Sequence, residues 1–158
     1  MAVKCQFDRS IDEVWALLCD PDFRVERSIA LGELSAECDV EEDGEQVTVK
    51  MSREVVRELP SVLARVFNAQ QSLVFVENWQ PKDGGWEGKM SIEIKKQPVQ
   101  LGATMSLLPT ASGCEYIVSH HCKAKIPLVG GKVEKYVLSQ TDDGALDELN
   151  YLKAKLTA

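Results

Sequence analysis

The stretch Lys125-Ile-Pro-Leu-Val-Gly-Gly-Lys-Val-Glu-Lys-Tyr136 opens a run that continues to Ala158 without another proline. Its reading decides the fold. Pro127 cannot continue a strand ladder, and Gly130-Gly131 permits the reversal that precedes a helix. From Lys132 good helix formers dominate, with Glu134 in the expected first turn and Lys153 and Lys155 in the last, each favourable for the helix dipole. The apolar residues fall in two overlapping stripes. Val133, Tyr136 and Val137 share one side, while Leu138, Ala145, Leu149, Leu152 and Leu156 follow three-and-four spacing on a face turned from it. Thr141-Asp142-Asp143-Gly144 separates them as a bend, a solvated face, or a gap of small residues that leaves room under the helix. A break into two helices is the alternative. The run predicts a long closing helix across a curved antiparallel sheet.

The sheet comes from the rest of the chain. Val3, Cys5 and Phe7 alternate with polar residues in the two-residue period of a half-buried strand. Ser10 with Glu13 three residues on has capping-box spacing, and Ile11, Val14, Trp15, Leu17 and Leu18 supply a helical apolar face that ends at Asp20-Pro21. Pro21 to Ser28 reads as a second short helix before the Leu31-Gly32 turn. Then the texture changes to strands. Leu34 to Val40 and Val47 to Val55 alternate around an Asp43-Gly44 turn as a hairpin. Leu59-Pro60 stops the second strand, and Ser61 to Phe67 forms a helical turn or a plain crossover. Leu73 to Trp79, Trp86 to Ile94, Val99 to Leu107 and Cys114 to Ala124 complete about six strands after the helices, with Asp83-Gly84-Gly85 and Pro109 to Gly113 as turns. An antiparallel sheet with one apolar face must cover it, and the closing helix is the long amphipathic element available.

Composition narrows the class. A chain of 158 residues, 44% hydrophobic and 27% charged, is one domain by length, residues 1–158, able to bury its own core. The net charge of −7 is uneven. Asp8 to Glu45 holds 13 acids against Arg9, Arg24 and Arg27, a local −10 that leaves about +3 for the remainder. This argues against nucleic acid as a partner and offers an acidic N-terminal surface to a basic protein partner. Five cysteines without Cys-x-x-Cys spacing read as reduced thiols of a cytoplasmic protein. No apolar run suits a signal peptide or an integral membrane segment.

The order of elements resembles the START-like, or SRPBCC, superfamily, and the local texture is closest to an uncharacterised bacterial family within it. The likeness rests on Phe7-Asp-Arg-Ser-Ile-Asp-Glu-Val-Trp-Ala-Leu-Leu-Cys-Asp-Pro-Asp-Phe23, on Glu77-Asn-Trp79, and on Ile126-Pro-Leu-Val-Gly-Gly-Lys-Val-Glu134, and it covers nearly the whole chain. It implies an α+β helix-grip fold of six or seven strands wrapped around the C-terminal helix. It also implies a cavity that holds a lipid-like or polyketide-like molecule, or an enzyme such as a cyclase or hydrolase on the same scaffold. These motifs are structural, and function does not follow from fold.

Candidate site residues follow from the strand alternation. Trp86, Met90, Met105, Tyr116 and His120 point inward if every strand keeps its register, and Val133 and Val137 face them from the helix, giving walls of the kind a small-molecule cavity uses. A filled core is the alternative. Arg53 falls on an apolar face, where a guanidinium must find an anion or reach water. It anchors a ligand carboxylate or phosphate, or it forms a structural ion pair, with Glu77 as a candidate partner, or it escapes at a strand end. His120, His121 and Cys122, even with Cys38 or Cys114, lack zinc spacing, and no third residue orients a Cys-His pair. Gly130-Gly131-Lys132 lacks Walker spacing. Glu41-Glu42-Asp43 and Asp142-Asp143 read as solvated turns rather than cation sites. No catalytic residue, metal ligand or cofactor is assigned, and the hydrophobic small molecule is the expected partner.

Overall fold

The computed structural model describes residues 2–157; Met1 and Ala158 lie outside the described residues. Seven strands form one antiparallel sheet: β1 (Ala2–Phe7), β2 (Ser35–Asp43), β3 (Gln46–Val56), β4 (Gln70–Lys82), β5 (Gly85–Ile94), β6 (Val99–Pro109) and β7 (Cys114–Ala124). Their spatial order is β1-β7-β6-β5-β4-β3-β2. Two helices, α1 (Ile11–Leu18) and α2 (Pro21–Ala30), carry the chain from one edge strand to the other. The third, α3 (Gly130–Thr157), is 28 residues long, about 42 Å at 1.5 Å per residue. It is gripped by the sheet as expected.

Local chemistry explains most boundaries. Ser10 Oγ accepts the Glu13 backbone N–H at 3.2 Å and starts α1, while Asp20 accepts from Asp22 and Phe23 and places Pro21 at the tolerated first position of α2. Asp83 and Gly84, with φ of 51° and 80°, make the two-residue loop between Lys82 and Gly85, the left-handed pair that matches strand twist. The 57–69 segment is an excursion between neighbouring strands. It tucks Leu63 and Phe67 into the core.

Two details of the closing helix differ from the sequence reading. The reversal before it falls at Leu128, which has φ 69°, so Gly130 and Gly131 already belong to the helix and Glu134 lies beyond its first turn. The helix also runs through Gly144 without a break. Val133, Val137, Leu149 and Leu152 are its buried residues, and at 100° per residue Thr141, Gly144, Ala145 and Glu148 complete the same face between them. The two apolar stripes are one face, interrupted by small and polar residues.

The core divides in two. One cluster joins Phe7, Val14, Leu18, Trp79, Met105, Leu107, Leu149 and Leu152, and the other joins Val55, Leu63, Phe67, Leu73, Ile92, Ile94, Leu101, Val133 and Val137. At the β2 edge of the sheet Glu37, Asp39 and Glu41 alternate outward and are exposed.

Candidate functional site

Between the two clusters, under the middle of α3, lies a cavity of about 190 Å³. Strand register positions its floor. Glu77, Met90, Ala103 and His120 form one row across the sheet, with Phe75, Ile92 and Leu101 in the next and Leu73 and Ile94 beyond. From the helix Val137, Gln140, Thr141, Gly144 and Ala145 form the roof. Thr141 bonds back to the Val137 carbonyl at 2.7 Å, and Gly144 has no side chain, so this part of the helix fills little of the space beneath it.

One side of the cavity is ionic. Arg24 donates through Nη1 and Nη2 to both oxygens of Glu77, at 2.9 and 3.0 Å, and through Nε to the Leu18 carbonyl at 2.7 Å. Trp79 Nε1 donates to the same Glu77 at 2.8 Å. Arg53 reaches Glu33 at 3.1 Å and Glu148 at 2.9 Å, with its guanidinium 4.1 Å from the Phe75 ring centroid. Arg27 donates to Glu148 at 3.0 Å. Each group pulls on the others. Burial alone would raise Glu148, but Arg53 and Arg27 outweigh it and bring that carboxyl down to about 2. Arg24 likewise overcomes burial to hold Glu77 below the usual range. Burial raises Glu33 despite Arg53, and lowers Arg27 with help from Arg24 and Arg53. Arg53 Nε and Glu33 Oε2 are shut off from solvent without a partner among the described residues.

The opposite side joins β7 to the closing helix. His120 Nδ1 stands 2.7 Å from Asp142 Oδ1 with the imidazole 1% exposed. Tyr116 lies on the same strand and faces the cavity too, and burial raises its hydroxyl well above the ordinary value.

Of the residues expected at the site, Arg53, Met90, Tyr116, His120 and Val137 line this cavity, while Trp86, Met105 and Val133 do not. Trp86 and Met105 lie on the covered face of the sheet but in other rows, and Val133 lies one turn before Val137 on α3. Trp86 stacks on Trp15 with ring centroids 4.1 Å apart. Met105 packs beside Trp79 in the first cluster and Val133 against the second. Arg53 has the ion-pair environment of the alternative reading, with Glu148 and Glu33 as partners in place of Glu77. Sequence reasoning missed Arg24, Arg27 and Glu148. Arg24 and Arg27 lie three apart on a helix read only for its length, and Glu148 continues the line through Val137, Thr141 and Gly144, a signal present in the spacing. Among the described residues no cluster of three metal-binding side chains occurs, and no helix is long and apolar enough to cross a membrane.

The comparisons with known proteins agree with this architecture. A family model described as "Protein of unknown function (DUF2505)" matches residues 2–154. The chain belongs to the DUF2505 family. No curated protein matches this DUF2505 chain. Solved structures do. A protein from Thermus thermophilus, TTHA0849, aligns with a TM-score of 0.65 at 14% identity, over 99% of this chain and 96% of that one. The Zhui aromatase/cyclase from Streptomyces sp. R1128 aligns at 0.61 and 11% identity, over 99% and 94%. A STAR-related lipid transfer protein from Xanthomonas axonopodis aligns at 0.60 and 15% identity, over 96% and 84%. At these identities the likeness shows the fold alone, and that fold is the START-like helix grip.

Proposed function

We propose that this DUF2505 protein binds and carries a small hydrophobic molecule in the cavity between the sheet and α3. The observation that carries the reading is the cavity itself: about 190 Å³ walled by Phe67, Leu73, Ile92, Ile94, Leu101 and Val137 and roofed by the smallest part of the helix. A cavity of about 150 Å³ lined by apolar side chains already takes up benzene. The volume also weighs against a fully packed interaction domain meeting a partner through its acidic N-terminal surface. Similar folds occur in proteins named for lipid transfer and for aromatase/cyclase activity, in keeping with an apolar guest. The five cysteines are all unpaired, which fits a reducing compartment such as the cytoplasm.

Native mass spectrometry of freshly purified protein, with organic extraction of what it carries, tests the reading. A discrete bound mass is expected, and Gly144→Phe should remove it while the fold survives, since a Cβ at Gly144 meets nothing within 4 Å. Bound mass unchanged in that variant would put the guest elsewhere. The His120–Asp142 contact at 2.7 Å supports a second reading, an enzyme on the same scaffold in which His120 accepts a proton. Loss of turnover in His120→Phe at unchanged stability would favour it.

A further inference from the structure

The charges that line the cavity fall into two sets. Arg24, Arg27 and Arg53 are committed to Glu77, Glu148 and Glu33, three guanidiniums against three carboxylates. Arg57 and Asp147 also line the cavity, and neither has an ion-pair partner among the described residues. Asp147 is exposed on α3, where water serves it, whereas Arg57 is half-buried.

Arg57 stands at the opening. Leu31 and Asp147 are the lining residues that are exposed, so the cavity reaches solvent between the end of α2, the end of β3 and α3. Two contacts bridge strand and helix there: the Arg53–Glu148 ion pair, and the Tyr136 hydroxyl donating to the Glu58 carbonyl at 2.9 Å. Arg57 lies between Arg53 and Glu58 on one side, and Gln140 and Gly144 lie between Tyr136 and Glu148 on the other. The Arg57 N–H donates to the Ala69 carbonyl at 2.8 Å and carries the β3–β4 ladder a step further. By the two-residue period Arg57 therefore shares the face of Val55 and its partner Gln71. Burial raises the Glu33 carboxyl and the Tyr136 hydroxyl, and Arg57 is among the groups that pull each back, so its charge acts on both sides of the opening.

A guanidinium without a carboxylate at the mouth of an apolar hollow suits an anionic head with an apolar tail. Its planar N–H groups fit the two oxygens of a carboxylate side by side. A doubly charged phosphate would bring a second negative charge near Glu33 and Asp147 with no further open cation to meet it. Tyr116 and His120 belong to the opposite side, on β7, where His120 already meets Asp142. Volume limits the tail: scaled from the cavity that holds benzene, about 190 Å³ admits roughly eight non-hydrogen atoms.

Building on the carriage reading, we propose that the guest is a short single-chain carboxylate, its tail in the cavity and its head held at the opening by Arg57, with the Gln71 and Gln140 amides as further donors. The test titrates octanoate, whose tail fits that limit, 1-octanol and octylammonium calorimetrically into the full chain at neutral pH. Octanoate should bind roughly tenfold tighter than either of the others. Arg57→Met removes a side chain that holds no partner in the fold, and should erase the preference for octanoate over 1-octanol while leaving 1-octanol within about twofold. Gly144→Phe, which keeps Arg57 and fills the hollow, should abolish octanoate binding. Equal binding of octanoate and 1-octanol overturns the assignment of the head and leaves carriage standing, as does a preference that survives in Arg57→Met. Octylammonium bound tightest places the head at Asp147 and overturns it too. Octanoate still bound by Gly144→Phe overturns the placement of the tail. If none of the three probes binds, the carriage reading falls and this one with it.

Discussion

At one end of the sheet Trp15, Trp79 and Trp86 pack ring against ring, Trp15 lying flat on Trp86 at 4.1 Å and edge-on to Trp79 at 5.3 Å. Toward the other, Leu73, Ile92, Ile94 and Leu101 look across about 190 Å³ at Phe67 and Val137. The strands are the same strands, and their alternation is equally clean at both ends. The cover differs. The filled end is closed by α1 and by Leu149 and Leu152 of α3, whereas the hollow end lies under Thr141, Gly144 and Ala145. A sheet of this kind offers an apolar face everywhere, and the helix decides where that face is filled.

The largest effect expected from breaking this contrast comes at the boundary, where Glu77 holds Arg24. Glu77→Gln leaves a guanidinium 3% exposed without its carboxylate, and should cost about 3 to 5 kcal/mol by urea unfolding. A loss under about 1 kcal/mol would mean that the wall re-forms around Arg24.

Acid probes the hollow side next. Glu148 is held at about 2 in the folded protein against about 4.3 unfolded. Its contribution is therefore fully present above about pH 5 and is lost as pH falls toward 2, roughly 2 to 3 kcal/mol. Its side chain keeps 21% exposure, which favours the lower figure. Glu77, also depressed, adds in the same direction. Glu33, raised by burial, acts oppositely and is relieved on protonation. Thermal unfolding followed from pH 6 to pH 2 should show the decline, and Glu148→Gln should flatten it. An equally steep decline in that variant would assign the acid sensitivity elsewhere.

Two glycines then compare the ends directly. A methyl group at Gly88 would lie 2.8 Å from the Trp79 ring and 3.0 Å from Met105, so Gly88→Ala should destabilise by about 1 to 3 kcal/mol. The same change at Gly144 meets nothing within 4 Å and replaces a poor helix former by the best, so Gly144→Ala should stabilise by about 0.5 to 1 kcal/mol. Chemical denaturation of the pair reads both signs. Equal effects would remove the distinction between a filled and a hollow end.

The fold was legible because alternation and helical spacing are local. Trp86, Met90 and Met105 announce a face by parity alone. Their row is another matter, because which residues share a row depends on pairing between strands distant in sequence. For that reason Met90 lies on the cavity floor and Trp86 two rows away. The ionic wall was hidden for a related reason. Arg24 and Arg27 interrupt any apolar stripe on α2, so spacing alone makes them surface residues, and only their meeting with Glu77 and Glu148, 53 and 121 positions away, puts them inside.

The acids along β2 have a consequence of their own. An edge strand presents unpaired backbone groups to any other strand that approaches, and here the approach passes between Glu37, Asp39 and Glu41. Two copies meeting edge to edge would align like charges along that border and repel. A chain with a hollow, greasy interior is thereby guarded against growing its sheet from molecule to molecule.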